Sequence, residues 1–175
     1  MEILNDFSTS VEKSLTEIDH KWREYEGLIV CGTHSPHNVE EMLTKIKEAR
    51  ESGLLFLGIC FGMQLMAIEY AKNVLGIKDA TSEEFGKGTF VVKKREHGLR
   101  VGLHDGESYW NNYYVTTDYM GNKKNYWNYI KNEDWEAIKM WRDNMMGVQF
   151  HPEYQSSKSN PHPLLVEFLH YAKSR

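Results

Sequence analysis

The feature that most restricts the fold is a direct handover from strand to helix. Leu54-Leu55-Phe56-Leu57-Gly58-Ile59 is an unbroken apolar run, the pattern of a strand buried on both faces. It passes through Cys60-Phe61 into residues 62–75, GMQLMAIEYAKNVL, which read as a helix closed by Gly76. Leu28–Cys31 is a second such run, and residues 39–51 read as an amphipathic helix with Met42, Leu43, Ile46 and Ala49 on one side. Strand, helix, strand, helix implies parallel strands joined by right-handed crossovers, with helices on the sheet faces. Residues 147–150 give a third buried strand, stopped by Pro152. The expected fold is therefore α/β, with a mostly parallel sheet and flanking helices, in a single domain over residues 1–175. Residues 8–26 read as a further helix carrying Val11, Leu15, Ile18 and Trp22, with a Ser or Thr as N-cap. Shorter strands are expected at 89–93, 113–117 and 135–140, and a helix opens at Pro163.

Composition removes several function classes. Hydrophobic residues make up 41% and charged residues 26% of the 175, which excludes wholesale disorder and a collagen-like chain. The net charge of −4, with no basic run longer than Lys93-Lys94-Arg95, argues against a nucleic-acid partner. No stretch approaches the ~18 apolar residues of a membrane span, and MEILNDFSTS has no apolar leader segment. A cytoplasmic setting with reduced thiols is expected. Two cysteines, Cys31 and Cys60, exclude a disulfide framework. No metal or cofactor is expected.

Cys60 stands between Gly58 and Gly62 at the strand–helix corner, the G-x-C-x-G form of a nucleophile elbow. A sharp turn there lifts the sulfur clear of the sheet. The helix N-terminus favours a thiolate, and the N–H of Phe61 points to where an oxyanion would form. Cys31 lies inside a strand run and reads as a packed thiol. A thiolate needs a base, and the base an orienter. Gln149-Phe150-His151-Pro152-Glu153 ends another buried strand, and the carboxyl ends of parallel strands share one edge. His151 can therefore meet Cys60, with Glu153 fixing its tautomer. His34 and His37 follow the first buried run.

Together these segments resemble the class I glutamine amidotransferases: G-x-C-x-G-x-Q is matched by Gly58, Cys60, Gly62 and Gln64, and F-H-P-E by residues 150–153. Residues 57–64, 67–74, 80–85 and 147–153 look like the amidotransferase domain of CTP synthase. The resemblance implies a flavodoxin-like sheet, and a glutaminase-type cysteine amidohydrolase with Cys60, His151 and Glu153 as its triad. It implies attack on the glutamine side-chain amide, a γ-glutamyl thioester, and ammonia passed to a synthase domain or partner subunit. Gly32 and Phe61 would form the oxyanion hole; Gln64 and Glu84 would bind substrate.

Three departures qualify the resemblance. The oxyanion loop, P-G-G-F-G in the family, is Cys31-Gly32-Thr33-His34-Ser35 here. The arginine that grips the substrate carboxylate has no counterpart in residues 108–115, SYWNNYYV. Tyr109, Trp110 and Asn111 are then expected to hold substrate instead, or the aromatic residues are ordinary strand packing. Only 26 residues precede the matched segment that begins at Gly27, so an N-terminally trimmed sheet is expected, its edge covered by a second copy or a partner. No P-loop pattern is present. The alternatives to glutamine hydrolysis are a γ-glutamyl hydrolase acting on another γ-glutamyl amide, and a non-catalytic binding or regulatory module of the same fold.

Overall fold

The structure is a computed structural model and describes residues 1–121 and 124–175. Its first half runs β1 (Glu2–Leu4), α1 (Ser8–Ile18), β2 (Leu28–Val30), α2 (Val39–Ser52), β3 (Phe56–Ile59) and α3 (Phe61–Asn73). The second half runs β4 (Ala80–Ser82), β5 (Thr89–Lys94), β6 (Arg100–His104), β7 (Glu107–Asn111), β8 (Tyr113–Val115), β9 (Asn128–Lys131), β10 (Ala137–Arg142), β11 (Met145–Val148) and α4 (Pro163–Lys173). A six-stranded sheet has the order β1-β2-β3-β11-β10-β9. The first four are parallel; β10 and β9 are antiparallel additions. A three-stranded sheet β4-β5-β8 and the hairpin β6-β7 stand beside it.

Strand alternation sorts the core into two layers. Leu28, Val30 and Phe56 pack with α2 and α3, whereas Ile29, Leu57 and Ile59 pack with α1 and α4. Helix α3 is buried nearly all round, from Phe61 to Ala71, as its lack of a polar face requires. Its one deeply buried charge, Glu69, is gripped by the Arg50 guanidinium through bonds of 2.9 and 2.8 Å.

Close approach of α3 to the sheet rests on two glycines. A Cβ on Gly62 would lie 1.9 Å from the Val30 carbonyl oxygen, and one on Gly58 would lie 2.6 Å from the backbone of Gly62 and Met63. Both obstacles are main chain and cannot rotate aside. Cys60, between them, takes φ 53° and ψ −104°, a conformation L-residues adopt only when their surroundings impose it.

The structure departs from the sequence expectations in places. The expected helix over 8–26 ends at Ile18. Asp19 is extended there, its carboxylate accepting from Lys21 N and from the Tyr25 hydroxyl; Trp22 returns to the core in a separate 3₁₀ turn. The N-cap is Phe7, not Ser or Thr. The expected trimming of the sheet is offset by β1, a three-residue strand paired in parallel with β2. So short a strand carries no periodic signal, and the same holds for β4 and β9, of three and four residues; β6 and β7, of five residues each, are further strands the sequence pattern does not predict. The strand expected at 135–140 begins at Ala137, because Trp135 has φ 61°. No helix among the described residues is long and apolar enough to cross a membrane.

Gly62→Ala should lower unfolding free energy by at least about 3 kcal/mol, the upper end of overpacking costs, because the clash is with a backbone carbonyl. Urea denaturation reads this; an unshifted midpoint would mean that α3 can lift from β2 at little cost.

Candidate active site

Because β3 and β11 are parallel neighbours, their carboxyl ends open on the same edge. Cys60 leaves β3 there, its N–H donating to Val148 O at 2.7 Å. Three residues past the end of β11 stands His151, whose N–H donates to Ser108 O of β7 at 2.7 Å. Its Nδ1 donates to Glu153 Oε1 at 2.7 Å, and both side chains are almost wholly buried. The Tyr154 ring stacks on the imidazole, with centroids 4.7 Å apart and planes 11° from parallel. Phe7 meets it edge-on.

Burial works against a charged His151. Hydrogen bonds and charge from Cys60 and Glu153 outweigh it, and the ring is pushed up to about 10. Such a ring keeps its proton at neutral pH, beside the sulfur. Burial drives the Cys31 thiol well above its ordinary range, with the Glu153 carboxylate adding to the effect. Cys31 is fully enclosed, in keeping with a packed thiol.

In front of Cys60 lies a cavity of about 320 Å³, lined by Thr33, His34, Phe61, Gln64, Glu84 and Leu99 together with residues 110–113. Six of the expected residues thus line one cavity: Cys60, Phe61, Gln64, Glu84, Trp110 and Asn111. Gln64 donates to Tyr113 O at 3.0 Å and Gln149 Oε1 at 3.3 Å. Glu84 stands at the rim, where partial burial raises its carboxyl above the usual range. Asn111 donates to Tyr113 O, while its buried Oδ1 has no partner among the described residues. Gly32 lies under the imidazole: a Cβ there would come 2.9 Å from His151 Cε1. The loop after it is held by Thr33 Oγ1, which donates to Asp6 and accepts from Ser35 N at 3.0 Å. His34 makes edge contacts with Phe7 and Trp110.

Tyr109 is not brought to this cavity. It is buried on the opposite side, against Phe150 and under the Arg100 guanidinium, which sits 4.5 Å above its ring. Residues 109 and 110 occupy successive strand positions and point to opposite faces, so an aromatic run cannot all face substrate. Nor does an arginine reach the cavity from elsewhere. Among the described residues its lining includes neither Arg nor Lys; Arg95 and Arg100 are both engaged by Glu136. Sequence reasoning gave no role to Gln149, which is buried and donates to Cys60 Sγ at 3.5 Å, nor to Tyr154 or Phe7. Gln149 could have been found from its position two residues before His151. Among the described residues no group of three or more His, Cys, Asp or Glu is arranged to hold a metal ion.

A doubly flanked α/β sheet with a cysteine elbow and an adjoining His–Glu pair defines an amidotransferase-type fold. The chain belongs to the class-I glutamine amidotransferase family, whose model matches residues 5–171. It is 35% identical over 183 residues to the CTP synthase of Bdellovibrio bacteriovorus, covering 82% of this chain and 34% of that protein. It is 31% identical over 201 residues to that of Sulfolobus acidocaldarius, covering 95% and 38%. The chain thus spans about a third of the length of these curated relatives. In fold it is similar to the glutaminase domain of Trypanosoma brucei CTPS with bound acivicin, with a TM-score of 0.78, 18% identity, and coverage of 99% of this chain and 93% of that one.

The protonated ring of His151 should stabilise the fold fully below its ordinary value of 6.5, and this contribution should drain away as pH rises through about 10. In Cys60→Ala the ring loses one of its two supports, so its titration, followed by NMR, should move to lower pH. A ring still titrating near 10 would show that Cys60 does not engage it.

Proposed function

We propose that this chain hydrolyses the side-chain amide of glutamine through Cys60, His151 and Glu153. The observation that carries the reading is the buried 2.7 Å His151–Glu153 bond beside Cys60, which itself lines the cavity. Sγ attacks the amide carbon while the carbonyl oxygen gathers charge near the N–H groups of Phe61 and Gly32. The first N–H groups of a helix have no partner within it, which suits Phe61 to that task. His151 passes its proton to the departing nitrogen, ammonia leaves, and a γ-glutamyl thioester remains. Water then adds to the thioester carbon, giving its proton to His151; the C–S bond breaks, and glutamate is released. The sum is glutamine and water to glutamate and ammonia. Glu153 orients the ring and supports its positive charge. Glu84 and the unpartnered Asn111 Oδ1 offer acceptors for the substrate ammonium. Family membership and the CTP synthase relatives support transfer of the ammonia to a synthase domain or partner.

The absence of Arg and Lys from the lining favours a second reading, hydrolysis of a γ-glutamyl amide other than free glutamine. That substrate would be held at its amino end by Glu84 and Asn111 and along its chain by Trp110.

Cys60→Ala and His151→Ala should each reduce glutamate release at least about a thousandfold, the scale of losing a nucleophile or its base. Glu153→Gln should cost less, because it orients and does not react. Coupled glutamate detection, with circular dichroism to check folding, reads the outcome. Retained turnover in either alanine variant would overturn the mechanism, and turnover of γ-glutamyl amides without turnover of glutamine would select the second reading.

A further inference from the structure

The register that pairs Gly58 with Gly147 and Ile59 with Val148, carried one step further, sets Cys60 opposite Gln149. Gln149 is 2% exposed. Its Nε2 donates to Cys60 Sγ at 3.5 Å, and its Oε1 accepts from Gln64 Nε2 at 3.3 Å. That same Gln64 nitrogen donates to the Tyr113 carbonyl at 3.0 Å. A carbonyl oxygen can only accept, so Tyr113 fixes which end of the Gln64 amide faces inward. Gln149 must then turn its oxygen to Gln64 and its N–H to the sulfur; the flipped amide would set two donors face to face. The orientation of Gln149 is thus set by the main chain of β8, through the one side chain of Gln64.

The sulfur has a second partner of opposite preference. Cys60 donates its S–H to the Trp110 carbonyl at 3.6 Å. That carbonyl can hold only the thiol form, whereas the Gln149 N–H, a donor alone, gains most from a charged sulfur. The other titratable groups facing the sulfur are His151 and, behind or beside that ring, Glu153 and Tyr154. Glu84 and His34 stand across the cavity. None of these donates an amide hydrogen from the strand next to the nucleophile.

Building on the reading of Cys60 as nucleophile, we infer that Gln149 is a positioning residue, holding Sγ towards His151 and favouring its ionised form through a hydrogen bond whose direction Tyr113 and Gln64 enforce. Bond strength follows charge on the sulfur. It is strongest in the attacking thiolate, weakest in the neutral thioester, and restored as glutamate leaves. Gln64 has both amide hydrogens committed in this chain, so it meets a ligand only through Oε1, as an acceptor.

The test is the rate of Cys60 alkylation by iodoacetamide against pH, read by mass spectrometry on the intact protein; Cys31 is fully enclosed. Gln149→Met keeps the length and removes the N–H. The rise in rate should be displaced to higher pH, with at least about a threefold loss at pH 7 and little change in melting temperature. Gln149→Glu should displace it further, because a carboxylate then faces the sulfur. A Gln149→Met profile that superimposes on the parent's would overturn the inference while leaving the nucleophile reading standing. If the methionine variant fails to fold, a Gln149→Glu profile matching the parent's would do the same. A parent protein that alkylates with the pH profile of an unperturbed thiol and releases no glutamate would sink both.

Discussion

One backbone contact governs the molecule: α3 rests so closely on β2 that the Val30 carbonyl occupies the place of any side-chain carbon at position 62. That contact lets the chain turn from β3 into α3 within a single residue, and the single residue is Cys60. The strained dihedrals of Cys60 persist because the strand before it and the helix after it are both locked into the core. The reactive group therefore needs no loop of its own. Its position is inherited from a tightly packed junction, with Gly58 making room beneath.

Around that point the polar groups are divided by what they can do. His151, the Phe61 main chain and Gln149 supply hydrogens; Trp110 O, Tyr113 O, Asn111 Oδ1 and Glu84 accept them. The sulfur meets both kinds, Gln149 as a donor and Trp110 O as an acceptor. The two arginines nearest in sequence to the cavity wall are held by Glu136, which also receives Asn132 at 2.8 Å. Their charge serves to tie β5, β6 and β10 together and is not available to a substrate carboxylate.

How much of this was legible in the sequence follows from the kind of signal involved. Buried parallel strands announce themselves as apolar runs, so β2, β3 and β11 and the positions of Cys60 and His151 at their ends could be read directly. Gly58 and Gly62 flagged the elbow because their spacing is a steric requirement. The second half was harder. Residues 100–115 alternate aromatic, polar and apolar groups without a consistent inner face, because hairpin β6-β7 is half-exposed and packs at its edges. Hence Tyr109 was grouped with Trp110 although strand geometry separates them. Gln149 went unassigned for a different reason. A buried glutamine within a hydrophobic segment is remarkable only once the register shows what lies opposite.

The hairpin has a further consequence. Strand β7 carries Tyr109 into the core and Trp110 into the cavity wall, and it is pinned by Gln155, which bonds Ser108 N and Gly106 O. Its neighbour β6 leaves Val101 and Leu103 in solvent, at 50% and 66% exposure. The two strands are therefore constrained unequally. The inner strand is constrained on both faces, whereas on the outer one positions 101 and 103 can accept almost any residue that pairs, while Arg100 is held by Glu136 and the Tyr109 ring. Divergence among chains of this architecture should accumulate on the outside of the hairpin long before it reaches the chemistry a few ångströms beneath.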